Sequence, residues 1–121
     1  NGEVEDLKAV MSWIRSHFLA ERIIGIGYSF GSFIINRGDQ LNFFDKSILI
    51  APPNVSMSFI FDNPQQPCDI IYGEKDTYTD PREIPSQAKL RVKIVKDGDH
   101  FFYGNYGDLS AQIMSSLTEE Y

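Results

Sequence analysis

Cysteine and histidine are scarce in this 121-residue sequence, and its cations are outnumbered. The one cysteine, Cys68, excludes an internal disulfide and a cysteine-based zinc module. Two histidines, His17 and His100, leave little for any other metal site, and no cofactor is implied. Lys plus Arg number 11 against 17 for Asp plus Glu, a net charge of −6. Such a chain lacks the clustered cations that nucleic acid requires and that anionic membrane surfaces attract. No apolar run approaches the roughly 20 residues of a membrane span. The chain starts Asn1-Gly2-Glu3, with neither an initiator Met nor a signal-peptide pattern. A cytoplasmic location is the expectation, with no nucleic-acid or membrane partner.

What is present is the balance of a folding chain. Hydrophobic residues are 42% and charged residues 23%, unlike a disordered segment. The length suits one domain over 1–121. Val4, Leu7, Met11, Ile14 and Phe18 recur at spacings of three and four, which predicts an amphipathic helix over 4–18. The run Arg22 to Gly27 predicts a strand buried on both faces. A helix follows from Ser29 to about Arg37, with Gly38 as its C-cap. Lys46 to Ala51, Asp69 to Gly73 and Leu90 to Lys96 read as further strands, and 54–67 as loop. Pro81 opens a weak helix that Pro85 interrupts. Leu90, Val92 and Ile94 alternate with Arg91 and Lys93, charges that would guard an exposed edge strand. Leu109, Ile113 and Leu117 mark a last helix over 107–119, ending near Tyr121.

Strands alternating with helices imply an α/β architecture, a parallel sheet covered on both faces. The strands should lie in chain order with the last at an edge. Helices 4–18 and 107–119 should share one face, with 29–37 on the other. The first strand looks central yet has no strand before it, so the expectation is either N-terminal strands absent from this chain or a partner covering the first strand.

The sharpest local signal is Gly27-Tyr28-Ser29-Phe30-Gly31. It is a G-x-S-x-G stretch between an apolar strand and an apolar helix. A strand that turns at once into a helix strains the central residue. Small residues at 27 and 31 let the chain through, and Ser29 Oγ is held out above the helix N-terminus beside the Phe30 N–H. The bland alternative is a small-residue turn with Ser29 as a helix cap. A serine nucleophile needs a base. His100, in Lys96-Asp97-Gly98-Asp99-His100-Phe101-Phe102, follows the fourth strand at the sheet edge that Ser29 shares. His17, near the end of the first helix, reads as structural. A carboxylate should orient the histidine. Asp76 in Gly73-Glu74-Lys75-Asp76-Thr77 is the best placed, with Asp80 and Glu74 as alternatives and Asp99 too near the histidine in sequence.

The order Ser29, Asp76, His100 resembles the C-terminal part of a small α/β-hydrolase, similar to dienelactone-hydrolase-like and serine-peptidase-like members without a lid. The matching pieces are residues 27–32, 71–76 and 97–102, together with the first helix and its Trp13. The resemblance implies a serine hydrolase cleaving a small ester, thioester or amide through an acyl-serine intermediate. Ser29, Asp76 and His100 would be catalytic, and Phe30 N–H an oxyanion donor. It also implies that these strands are the fifth to eighth of eight, and that a second oxyanion donor lies on a loop this chain lacks. Dienelactone hydrolases proper use a cysteine where Ser29 stands, and Cys68 lies at the wrong end of the sheet to replace it. The stretch 52–67 is too short for a lid domain, and Phe59, Ile60 and Phe61 either line the pocket or cover the core. Two other readings stand beside this one. The chain could be an inactive homologue or fragment. It could also be a dinucleotide-binding domain, from Gly25, Gly27 and Gly31 with Asp45 toward a ribose, although Phe30 would obstruct a pyrophosphate.

Overall fold

The computed structural model describes residues 2–19 and 22–119. Apolar residues of high β-propensity form four strands: β1 (Ile24–Tyr28), β2 (Lys46–Ile50), β3 (Cys68–Gly73) and β4 (Leu90–Val95). All neighbours are parallel, in the order β1-β2-β3-β4. The register pairs Tyr28 with Ile50 and Gly73 with Val95, so the C-terminal ends of all four strands lie along one edge. The helices are α1 (Gly2–His17), α2 (Phe30–Gln40) and α3 (Tyr106–Thr118). Pro81–Glu83 forms only one 3₁₀ turn, ending before Pro85. Tyr121, toward which the sequence carries the last helix, lies outside the described residues.

Each face of the sheet has its own core. Ile48, Ile50, Ile71, Val95 and Phe102 meet Leu109, Ile113 and Leu117 of α3. Leu49, Phe61, Cys68, Ile70, Tyr72 and Leu90 form the other core, reached by Ile35 of α2. Each aliphatic side chain fully buried this way is worth about 1.5–3 kcal/mol. Cys68 is one of these core residues, and burial raises its thiol pKa, so it packs as a small apolar group.

Four expectations are corrected. First, α1 does not share a face with α3. It lies against α2, where a Cβ on Gly38 would come 3.0 Å from Leu7, and Arg15 Nη2 donates to Phe43 O at 2.8 Å. Second, Gly38 is not a C-cap. It lies inside α2, buried, where Phe44 and Leu7 leave no room for a side chain, and Leu41 takes the cap position. Third, β1 is not buried on both faces. Gly25 and Gly27 are buried toward α2, while Ile26 (44% exposed) and Tyr28 (43%) on the other face stay open.

The fourth correction concerns β4, whose charges are not its solvent guard. Arg91 and Lys93 face inward toward α3, pairing with Asp69 (3.3 and 3.7 Å) and Glu119 (3.2 and 2.7 Å), whereas Val92 (44% exposed) and Ile94 (50%) are outside. Lys46 joins the same group. It lies 3.4 Å from Asp69, both side chains fully buried, and donates to the Ser116 carbonyl. That carbonyl belongs to the last turn of α3, where a cation is favoured.

Candidate functional site

Ser29 stands between β1 and α2 with φ 54 and ψ −119, a left-handed conformation costly for a residue with a side chain. The turn is anchored by Ser29 N donating to Ile50 O at 2.8 Å. It is possible because position 27 is glycine. A Cβ there would come 2.5 Å from the Gly31 carbonyl carbon and 2.8 Å from Ile35 Cγ1. Gly31 is different: a Cβ on it would meet nothing within 4 Å. The two glycines of the motif are therefore unequal, and only the first is demanded by contact.

The helix-cap alternative for Ser29 fails on geometry, because its side chain makes no capping bond. Oγ instead lies 2.9 Å from His100 Nε2. His100 Nδ1 is 2.8 Å from Asp76 Oδ2. A carboxylate only accepts, so Nδ1 carries the proton there, and Nε2 is left to accept from the Ser29 hydroxyl. Asp76 is held in turn: Oδ1 accepts from Tyr78 N at 2.8 Å and Oδ2 from Thr79 Oγ1 at 3.2 Å. Asp76 and His100 are buried and Ser29 is half-buried, so the chain of bonds runs from the interior to a reachable hydroxyl.

Two loops bring these groups together. Gly73 ends β3 so close to the histidine loop that a Cβ would come 2.7 Å from Asp99 O. Lys75 N donates to Gly98 O at 2.8 Å, and Glu74 Oε1 accepts from Asp97 N at 3.0 Å. Glu74 is exposed and braces the loop rather than meeting the imidazole. Asp80 accepts from Arg82, whose hydrogen bonds hold its carboxyl below the usual range. Asp99 Oδ1 accepts from Phe101 N at 2.9 Å. Of the weighed carboxylates, Asp76 alone is bonded to the histidine. Phe30 N–H is the first amide of α2, among those a helix leaves without an intrahelical acceptor.

His17 lies apart, stacked on Trp13 at 4.2 Å with Nδ1 2.9 Å from the Trp13 carbonyl. Asp45 accepts from Ile23 N at 2.8 Å, at the strand starts and not at the edge that holds Ser29. Among the described residues no cluster of three His, Cys, Asp or Glu could hold a metal ion. None of their helices is long and apolar enough to cross a membrane. A cavity of about 380 Å³ is walled by Asn54, Val55, Phe59, Phe61, Asp80 and Glu83 among others, but none of Ser29, Asp76 and His100 lines it. Phe61 is also a core residue, so the 59–61 stretch both covers the core and borders a cavity.

Sequence reasoning missed three side chains at this site. Thr79 bridges Asp76 to Pro52 O at 2.9 Å. Tyr78 lays its ring 4.5 Å from that of His100. Tyr28 Oη donates to His100 O at 2.8 Å. Only Thr79 left a trace in the sequence, three residues beyond an aspartate in a turn.

The sequence matches no protein-family model and no curated protein. Solved structures do match. An α/β serine hydrolase homologue from Coxiella burnetii is 27% identical with a TM-score of 0.84, over 97% of this chain and 59% of its own. A serine hydrolase without a lid from Xanthomonas campestris is 27% identical with a TM-score of 0.78, over 92% of this chain and 53% of its own. An esterase domain from Rhodothermus marinus, 8% identical, shares the fold with a TM-score of 0.67, over 94% of this chain and 67% of its own. This chain therefore carries the α/β-hydrolase fold in part. It is similar to the serine hydrolases of that class, one of them lidless, and spans somewhat over half the length of the first two.

Proposed function

We propose that this chain carries the catalytic residues of a cytoplasmic serine hydrolase that cleaves a small ester, thioester or amide. The observation that carries the reading is the unbroken path Ser29–His100–Asp76, with bonds of 2.9 and 2.8 Å, ending on a serine in a strained turn. His100 Nε2 takes the Oγ proton as Oγ attacks the acyl carbon. Asp76 holds the Nδ1–H and stabilises the imidazolium that forms. Protonation of the leaving group by His100 then releases it and leaves acyl-Ser29. Water deprotonated by His100 attacks that ester and frees the acid.

Phe30 N–H serves the oxyanion, together with a second donor from residues outside this chain. One such donor is typically worth about 3 kcal/mol of transition-state stabilisation. The segment between β2 and β3 contains no helix or strand, which favours a small, accessible acyl group over a long lipid. The deciding experiment is fluorophosphonate labelling of the full-length protein, followed by peptide mass mapping. Modification at Ser29, absent in Ser29→Ala, is the expected result. A folded protein that takes no label would join the inactive homologues.

A further inference from the structure

We infer that Tyr28 is a positioning residue for His100, its hydroxyl tying the histidine loop to the strand that carries Ser29. The inference rests on the hydrolase reading above. Tyr28 is the last residue of β1, and its Oη donates to the backbone carbonyl of His100 at 2.8 Å. The ring lies at ordinary aromatic contact distance, with centroids 5.7 Å from His100 and 6.5 Å from Phe102, and the residue is 43% exposed. A phenyl group would fill that place equally well, so the hydroxyl is the informative part.

The loop it holds is an uncommon one. Asp97 and Phe102, on either side of His100, have φ of 62 and 58, a region that L-residues avoid unless their surroundings hold them there. Partial burial, and then the Asp76 carboxylate, push the Tyr28 hydroxyl above its ordinary pKa. It is therefore a protonated donor at any pH at which a histidine base works.

The chemistry gives this bond a particular moment of use. While Ser29 is free, the Oγ–Nε2 bond itself helps keep the imidazole in place. Once Ser29 is acylated, its oxygen has no proton to donate and that bond is lost. The Asp76 bond then orients the ring, and the Tyr28 bond still fixes its backbone, since neither Tyr28 Oη nor His100 O takes part in the reaction. The tether should matter most when His100 must activate water.

The test is Tyr28→Phe in the full-length protein, with an activated phenyl ester followed by rapid mixing. Deacylation should slow about tenfold, as expected for one lost hydrogen bond and a displaced base. Acylation should change about twofold or less, so acyl-enzyme accumulates and a burst of phenol appears. Tyr103→Phe, on the same loop, should alter neither rate. Equal loss in both steps, a loss confined to KM, or no loss would overturn the inference.

Amide hydrogen exchange supplies a readout independent of activity. The Phe102 and Asn105 amides should exchange faster in Tyr28→Phe, and unchanged exchange would equally overturn the tether. If wild type takes no fluorophosphonate, the hydrolase reading fails, while exchange still decides whether Tyr28 holds the loop.

Discussion

The two ends of this sheet each carry a polar network around a buried carboxylate, Asp69 at one end and Asp76 at the other, and they are built from different groups. At the strand starts, Lys46, Asp69, Arg91, Lys93 and Glu119 are side chains of strands and of the end of α3, fixed by regular register. Their cations are lysine and arginine, which donate hydrogen bonds and accept none. At the strand ends, Ser29, Asp76 and His100 come from three separate loops after β1, β3 and β4. Their middle member is an imidazole, whose two ring nitrogens can donate on one side and accept on the other, and their outer member sits in a strained turn. Fixed charges held by strands lock a sheet edge. A graded serine–histidine–carboxylate path held by loops can move a proton. Burial of polar groups therefore does not by itself tell the two ends apart; the kind of group and the element that carries it do.

The largest effect should come from breaking the loop end. Ser29→Ala and His100→Ala should each lower turnover of a small activated ester by at least about 10³-fold, and Asp76→Asn severely. Melting temperatures should stay within a few degrees of wild type, which calorimetry checks. Breaking the other end should do the reverse. Asp69→Asn removes the carboxylate that three cations approach, and should cost about 3–5 kcal/mol of stability in urea unfolding. Activity per folded molecule should be retained. A loss of activity without a loss of stability there would abolish the contrast between the two ends.

A finer test contrasts the two glycines of the turn. Gly27→Ala forces a methyl group into the Gly31 carbonyl and should cost about 1–3 kcal/mol. Gly31→Ala meets open space within a helix and should be neutral or stabilising by up to about 1 kcal/mol. Paired denaturation curves separate them. The smallest effect is electrostatic. Hydrogen bonds from Lys93, then Ser115, hold the Glu119 carboxyl below its ordinary pKa. Its contribution is therefore fully present above the usual carboxylate range, about pH 4.3, and is lost as pH falls through the lowered folded value. The gap in melting temperature between wild type and Glu119→Gln should shrink on acidification and persist at neutral pH.

The α/β class, the parallel order and the Ser29, Asp76, His100 sequence of groups were legible because each rests on local pattern. Apolar runs announce strands, a three-and-four spacing announces helices, and the strand-to-helix turn at 27–31 carries a small residue where contact demands one, at Gly27. The parallel sheet then carries every strand end to one edge without further information. The face of α1 was not legible. An amphipathic stripe says that a helix packs, not against which layer, and it was Gly38 that made room on α2 for Leu7 of α1 and for Phe44.

The alternation in β4 was read correctly as alternation and assigned to the wrong sides. A period of two is symmetric, so only the neighbours decide which side is inside. Here Asp69 across the register and Glu119 beyond α3 draw Arg91 and Lys93 inward, leaving Val92 and Ile94 outside. Tyr28 was invisible because it acts on a backbone carbonyl 72 residues away, and Thr79 showed only its local turn, not its bond to Pro52 O 27 residues back. Which elements form, the chain order of Ser29, Asp76 and His100 and the edge they share follow from periodicity and connectivity within short windows. Which faces are covered, which carboxylate reaches the histidine and what holds that histidine in place are settled by contacts between residues far apart in the chain.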